Sequence, residues 1–189
     1  HDGILWVTLG QQPNILAHQT EWIRIFDQSI SISSKDNAVY HLRTLLHDKA
    51  CLLIIDDAWK AEHAQPFLVG NSKCKVIVTT RENSVIQDIG ARTIEIDAFN
   101  ENQALELFSN RLNELDKEQV KKALVLSEKL GYLPLAIELA AAQLGDGYGW
   151  DELINLYEKA LQNYDDLEGS SAQIMRLRTS FKLSIDLLS

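Results

Sequence analysis

Residues 52–57 read LLIIDD, a run of four aliphatic side chains that ends in two carboxylates, Asp56 and Asp57. An apolar run without alternation is typical of a central strand in a parallel sheet that is covered on both faces. Ligands of such sheets bind at the carboxyl ends of the strands, so both aspartates are expected at a binding rim. Two carboxylates there suit a hydrated Mg²⁺ on nucleotide phosphates. The alternative is that they only cap the next helix.

The composition excludes several classes of protein. The chain has 189 residues, of which 46% are hydrophobic, and this content supports a folded core. With 27 acidic and 18 basic residues the formal charge is −9, which argues against direct nucleic-acid binding. No segment approaches the roughly 20 apolar residues of a membrane span. Cys51 and Cys74 are expected to be reduced core residues, which predicts a cytoplasmic protein.

The first half of the chain alternates between strand and helix patterns. The predicted strands are residues 4–9, 52–55, 75–81 and 92–96. The predicted helices are residues 13–27, which Pro13 opens, then 34–47, 62–68 and 84–89. Strands that alternate with helices predict an α/β fold with a doubly wound parallel sheet.

After Ala98 the pattern becomes helical. Asn100 and Gln103 form a capping-box-like start for the first of these helices. Further helices are predicted over residues 117–130, 134–144 and 150–161, then a linker over 168–171 and a last helix over 174–188. These patterns predict an α/β half at 1–98 that is followed by a helical half.

Four motifs in this order resemble those of the NB-ARC domain, which belongs to the STAND class of P-loop NTPases. They are GILWVTLGQ at 3–11, the DD of 56–57, TTR at 79–81 and GYLPLA at 131–136. The family includes plant disease-resistance proteins, apoptosome scaffolds and bacterial regulators, and the opening looks most like bacterial members. The resemblance implies a P-loop NTPase core that lacks its first strand and P-loop. It also implies that an all-α ARC1-like subdomain at 99–165 and the start of a winged-helix domain at 166–189 follow this core.

The resemblance also implies roles for five residues. Asp56 would hold Mg²⁺ through water, and Asp57 would share the metal and act catalytically by positioning the attacking water. Arg81 would read the γ-phosphate of ATP, for which its guanidinium offers a bidentate grip. Pro134 and Leu135 would lie near the adenine. Two plainer interpretations stay open: Arg81 forms a salt bridge with an acidic rim residue, and Pro134 simply starts a helix.

The glycine-rich loop G-x-x-x-x-G-K-[ST] of the family is absent from the 189 residues. We expect that the chain begins after this loop, binds nucleotide poorly and is inactive alone, and that its truncated sheet exposes apolar surface. The full-length protein would be a slow ATPase. Tyr132 replaces a second glycine that is common before the Leu-Pro of the family's Gly-Leu-Pro-Leu-Ala motif. Trp6, Trp22 and Trp59 are expected to be core or interface aromatics.

The function that the resemblance implies is an ADP/ATP-binding molecular switch for signal transduction. Nucleotide state would control opening and oligomerisation. The partners would be nucleotide, other copies of the chain, and adjacent effector and sensor domains, without nucleic acid or membrane. The alternative is a non-catalytic scaffold with the same fold. An ATP motor of the related AAA+ class is a third interpretation, but it would need a trans arginine finger and an intact phosphate loop.

Overall fold

The computed structural model describes residues 2–162 and 176–182. The chain divides into two compact units, residues 1–94 and 95–189. The elements of the first unit are β1 (Gly3–Gly10), α1 (Ile15–Phe26), α2 (Lys35–Leu46), β2 (Cys51–Ala58), α3 (Ala61–Ala64), β3 (Lys75–Val78) and α4 (Asn83–Ile89). A 3-10 turn, Gln65–Phe67, follows α3 directly.

The three strands form a parallel sheet in the order β1-β2-β3. Val7 pairs with Ile55, and Ile55 pairs with Val78, so residues at the carboxyl ends of the strands lie side by side. This confirms the α/β class with a parallel sheet. One face of the sheet carries Leu5, Val7, Leu53 and Ile55, which are buried in one cluster with apolar residues of α1 and α2.

The opposite face of the sheet is largely open in the part of the chain that the structure describes. Ile4 is 65% exposed, Trp6 58% and Ile77 50%, while Leu52 and Ile54 of the central strand are half-buried. The expectation that both faces are covered is therefore not met among the described residues. The apolar run of β2 does not alternate in sequence, yet its burial alternates because the described helices pack on one side.

The predicted strand at residues 92–96 is wrong. The structure shows no regular element there, and Ile94 and Ile96 are 82% and 92% exposed. A strand exists only where a neighbour accepts and donates its backbone hydrogen bonds. This segment pairs with none of the described strands, so its alternating pattern has no ladder to join.

The helix starts follow local capping chemistry. Asn14 accepts a hydrogen bond from Ala17 N and Ser34 accepts one from Asn37 N, which places the starts of α1 and α2 after these residues. Pro13 therefore precedes the first cap instead of opening the helix. Cys51 and Cys74 are free and buried, as expected of core cysteines, and burial raises the pKa of the Cys51 thiol.

The second unit is helical where the structure describes it. Its elements are α5 (Glu101–Leu112), α6 (Lys117–Lys129), α7 (Pro134–Gly145) and α8 (Trp150–Gln162). Asn100 and Gln103 form the predicted capping box at α5. The core of this unit contains large side chains that are fully buried, namely Phe108, Leu126, Leu130, Ile137, Leu153 and Tyr157.

Beyond α8, residues 176–182 are helical. They are part of the helix predicted over 174–188, whose remaining residues lie outside the described ranges, as does the predicted linker at 168–171. The side chain of Arg176 packs against Gly131, which has φ +63 and leaves no room for a Cβ. Within the described ranges, no helix is both long enough and apolar enough to cross a membrane.

Candidate functional site

The candidate site lies where β2 and β3 end. The backbone ladder continues one residue past β3, because Thr79 N donates to Ile55 O and Ala58 N donates to Thr79 O, each across 2.9 Å. On the other side of β2, Thr8 pairs with Asp56. These contacts bring a polar group from each strand to one cleft of about 480 Å³. The cleft is lined by Thr8, Asp56, Asp57, Thr79, Thr80 and Arg81.

The carboxylate of Asp56 is held by two threonines. Its Oδ1 accepts a hydrogen bond from Thr79 Oγ1 at 2.7 Å, and its Oδ2 accepts one from Thr8 Oγ1 at 3.3 Å. Trp6 Nε1 in turn donates to Thr8 Oγ1 at 3.1 Å. Because each hydroxyl takes one lone pair from an oxygen that has two, the carboxylate is oriented and can still accept from water at a cation.

Asp57 adopts an unusual backbone conformation, with φ +52. The left-handed region costs most L-residues about 1–2 kcal/mol, although aspartate tolerates it better. The conformation is supported by a hydrogen bond from Asp57 N to Thr79 Oγ1 at 2.9 Å. The residue that caps α3 is Lys60, and no side chain makes the capping bond. The interpretation of the aspartates as helix caps is therefore wrong.

Two partners surround the Asp57 side chain. Trp59 Nε1 donates to Asp57 Oδ2 at 3.1 Å. Arg81 approaches Asp57 Oδ1 with Nη2 at 3.9 Å, and its guanidinium lies over the Trp59 ring with Cζ 5.7 Å from the centroid. The salt bridge considered for Arg81 is therefore present. It is weak, because the distance is too long for a hydrogen bond and the Arg81 side chain is 79% exposed.

The donor set at this cleft fits Mg²⁺ better than a metal that needs an all-protein cage. In the described ranges, no group of three or more His, Cys, Asp or Glu side chains could hold a metal ion. A cation at Asp56 and Asp57 therefore has to take its remaining ligands from water and from a bound anion. Mg²⁺ binds in this way, through one or two carboxylates together with phosphate oxygens and retained waters.

Some residues of the site could not be recognised from the sequence. Thr8 and the side chain of Thr79 were missed because nothing local signals their contacts with Asp56. The prediction that the tryptophans are core or interface residues is right for Trp22, which is 2% exposed. Trp6 lies on the open sheet face and is not a core residue of the described part, so its role at an interface stays a prediction. Trp59 is half-buried beside Asp57 and Arg81. The contact between Trp59 and Asp57 could have been suspected from the sequence, because the two residues are only two positions apart.

Pro134 and Leu135 belong to the second unit. Pro134 is the first residue of α7, which confirms that it starts a helix. Leu135 is 46% exposed. Tyr132 has φ +54, and its carbonyl accepts a hydrogen bond from Phe99 N at 2.9 Å. A role for Pro134 and Leu135 beside an adenine stays a prediction.

Known proteins resemble this chain over most of its length. The family model of the NB-ARC domain matches residues 1–118. Regulatory protein AfsR of Streptomyces coelicolor is 29% identical over 157 residues, which cover 79% of this chain and 16% of the relative. Regulatory protein AfsR of Streptomyces griseus is 28% identical over 190 aligned positions, and the alignment covers 96% of this chain and 19% of the relative.

A plant protein is also similar. Disease resistance protein UNI of Arabidopsis thaliana is 20% identical over 190 aligned positions, and the alignment covers 93% of this chain and 21% of the relative. The chain therefore spans between 16% and 21% of the length of these three relatives.

Proposed function

The chain belongs to the NB-ARC domain family, and we propose that it is the ADP- and ATP-binding switch module of a signal-transduction NTPase. The observation that carries the proposal is the meeting of Asp56, Asp57 and Arg81 at one cleft. Carboxylates for a phosphate-bound cation and a guanidinium for the phosphate are the charges that a nucleoside triphosphate needs. The relatives that are named as regulatory and disease resistance proteins support a signalling role.

Asp56 is the residue that we assign to Mg²⁺, with Asp57 beside it. Both oxygens of Asp56 are oriented by threonine hydroxyls, so the carboxylate is prepared to accept from the waters of a hydrated ion. When bound, Mg²⁺ would neutralise charge on the phosphates. Asp57 would accept a hydrogen bond from the attacking water and orient it, since its carboxylate is held by Trp59 on one side only.

Arg81 is the residue that we assign to the γ-phosphate. The Arg81 side chain is 79% exposed and only weakly paired with Asp57. Little interaction energy is therefore lost when the guanidinium leaves Asp57 to contact a bound phosphate. ADP has no γ-phosphate and cannot form this contact. A ligand shifts a conformational equilibrium only by its differential affinity for the two states, and Arg81 supplies such a difference.

The switch itself follows from this difference. The ADP form would be closed and resting, and the ATP form would be open and would oligomerise. Slow hydrolysis would reset the protein. Pro134 and Leu135 of the second unit would contact the adenine, so that the nucleotide could report its state to the helical unit. Effector and sensor domains of the same protein, and further copies of it, would be the partners.

A non-catalytic scaffold with the same fold is the second candidate. The observation that favours it is the ion pair between Arg81 and Asp57, because a guanidinium that faces a carboxylate of the rim need not bind a phosphate. In the scaffold, Asp56, Asp57 and Arg81 would form only a weak polar cluster.

The test is a titration of labelled ADP and ATP with Mg²⁺ into the full-length product of the gene that encodes this chain. Arg81→Ala should weaken ATP binding at least about tenfold, because a charged hydrogen bond is lost, and should change ADP binding less than about twofold. Arg24→Ala is the matched control, since Arg24 is exposed at the end of α1, away from the cleft.

The outcomes separate the two candidates. Loss of ATP affinity that is specific to Arg81→Ala supports the switch. If Arg81→Ala weakens ADP and ATP binding equally, the assignment of Arg81 to the γ-phosphate is wrong. No binding of either nucleotide by the wild-type protein would favour the scaffold.

A further inference from the structure

Trp59 contacts two of the three charged side chains that line the cleft, Asp57 and Arg81. Its indole N–H donates to Asp57 Oδ2 at 3.1 Å, and its ring lies 5.7 Å from Arg81 Cζ. We propose that Trp59 is a positioning residue that prepares Arg81 and Asp57 for the phosphate end of the nucleotide. It would thereby increase the preference of the site for ATP over ADP. This inference rests on the proposed function.

Trp59 orients the carboxylate of Asp57, because few other contacts hold this side chain. The backbone of Asp57 is fixed by its left-handed conformation and by Thr79. Its Oδ2 atom accepts the Trp59 indole N–H, and its Oδ1 atom faces Arg81 at a distance too long for a hydrogen bond. The indole N–H is therefore the contact that sets the rotation of the carboxylate, which leaves Oδ1 free to face the cleft.

Trp59 also restricts the side chain of Arg81, which is otherwise free to move because it is largely exposed. A long exposed side chain loses rotamer freedom when it grips a ligand, and this loss weakens binding. Its ion pair with Asp57 is too long and too exposed to restrict it strongly. The face of the Trp59 ring attracts the guanidinium at the edge of the cleft and so reduces the freedom that remains to be lost.

The physical difference between the two nucleotides makes the inference specific. Only ATP presents a γ-phosphate to Arg81, so only ATP binding benefits from a prepared guanidinium. A tryptophan that merely stabilised the fold would affect both nucleotides equally. The ratio of the ADP and ATP dissociation constants is therefore the quantity that a positioning role changes and a structural role leaves alone.

The experiment measures this ratio in the full-length gene product for Trp59→Leu, Trp59→Phe and Arg81→Ala, and for the double variant of Trp59→Leu with Arg81→Ala. Trp59→Leu should weaken ATP binding about two- to fivefold and leave ADP binding within about twofold. Trp59→Phe keeps an aromatic face and should restore most of the preference for ATP. Where Arg81 is already alanine, Trp59→Leu should change nothing further. Trp150→Phe, in the second unit, is the control.

A second measurement needs no nucleotide. In the free protein, the Arg81 side-chain protons should show an upfield NMR shift from the ring current of Trp59, and Trp59→Leu should remove it. The indole N–H signal of Trp59 should move in Asp57→Asn. Absence of both signatures would overturn the geometry on which the inference depends.

The failures of the two proposals are distinguishable. If the wild-type protein binds neither nucleotide, the proposed function is wrong and the inference falls with it. If Arg81→Ala discriminates between ATP and ADP but Trp59→Leu leaves the ratio unchanged, the inference alone is wrong. The same holds if Trp59→Leu keeps its full effect when Arg81 is absent.

Discussion

The hydroxyl of Thr79 donates a hydrogen bond to Asp56 Oδ1 across 2.7 Å. Thr79 Oγ1 also accepts a hydrogen bond from the backbone N–H of Asp57 at 2.9 Å. One threonine just beyond β3 therefore orients the carboxylate of the first aspartate and supports the left-handed backbone of the second. The geometry of the site depends on β2 and β3 lying side by side.

Replacing Thr79 with valine tests this link. Thr79→Val removes the hydroxyl but keeps the β-branched shape, so we expect a loss of about 1 kcal/mol in the free energy of unfolding, because the two freed groups can partly reach water. Thr79→Ser restores the hydroxyl and should recover most of the loss. Denaturant titration measures both. If serine and valine are equally destabilising, the hydrogen bonds do not stabilise the site.

Replacing Asp56 with asparagine tests the metal assignment. Asp56→Asn keeps an acceptor for Thr79 but removes the negative charge that would attract Mg²⁺. Mg²⁺ should increase the ATP affinity of the full-length gene product, and in Asp56→Asn we expect this increase to be at least about tenfold smaller. Asp48→Asn, at an exposed position beside α2, is the control. An unchanged Mg²⁺ dependence in Asp56→Asn would contradict the assignment.

We expect the protein to lose stability at alkaline pH because the pKa of Tyr157 is raised in the folded state. Burial raises the pKa of Tyr157 to about 12, while the nearby hydroxyl of Ser180 acts in the opposite direction. The usual value is 10.0, so the folded state keeps a proton that the unfolded state releases. The stabilisation is complete below about pH 10 and is lost as the pH rises towards about 12.

The measurement is the free energy of unfolding against pH for the wild type and for Tyr157→Phe. Between about pH 10 and pH 12 the wild type should lose roughly 2–3 kcal/mol more than the variant, which has no proton to release. Parallel curves for the two proteins would show that Tyr157 ionises normally in the folded state.

The two buried clusters predict that core substitutions act locally. Leu53 in the first unit and Phe108 in the second are both 0% exposed. Leu53→Ala should cost about 2–5 kcal/mol and Phe108→Ala about 3–5 kcal/mol, because each leaves a cavity. Amide hydrogen exchange should become faster mainly in the unit that carries the substitution. Equal acceleration in both units after either change would contradict two separate cores.

Much of the fold could be predicted from local patterns. The α/β half, the helical half and the capping box of Asn100 and Gln103 all depend on neighbours within a few residues. The strand at 92–96 failed for the opposite reason, since its alternating pattern is local but its existence requires a paired neighbour. The prediction that both faces of the sheet are covered was wrong for a similar reason. Burial of a residue such as Trp6 depends on which elements pack on the sheet.

The sequence by itself determined the α/β and helical organisation, the family, and the identity of the two carboxylates and the guanidinium as candidate ligands. Strand periodicity, caps and ordered motifs are properties of the chain read along its length. Only the tertiary structure decided that Thr8 and Thr79 hold Asp56 and that Trp59 contacts both Asp57 and Arg81. These contacts join residues up to 48 positions apart, and they form because parallel strands bring their carboxyl ends to one edge of the sheet.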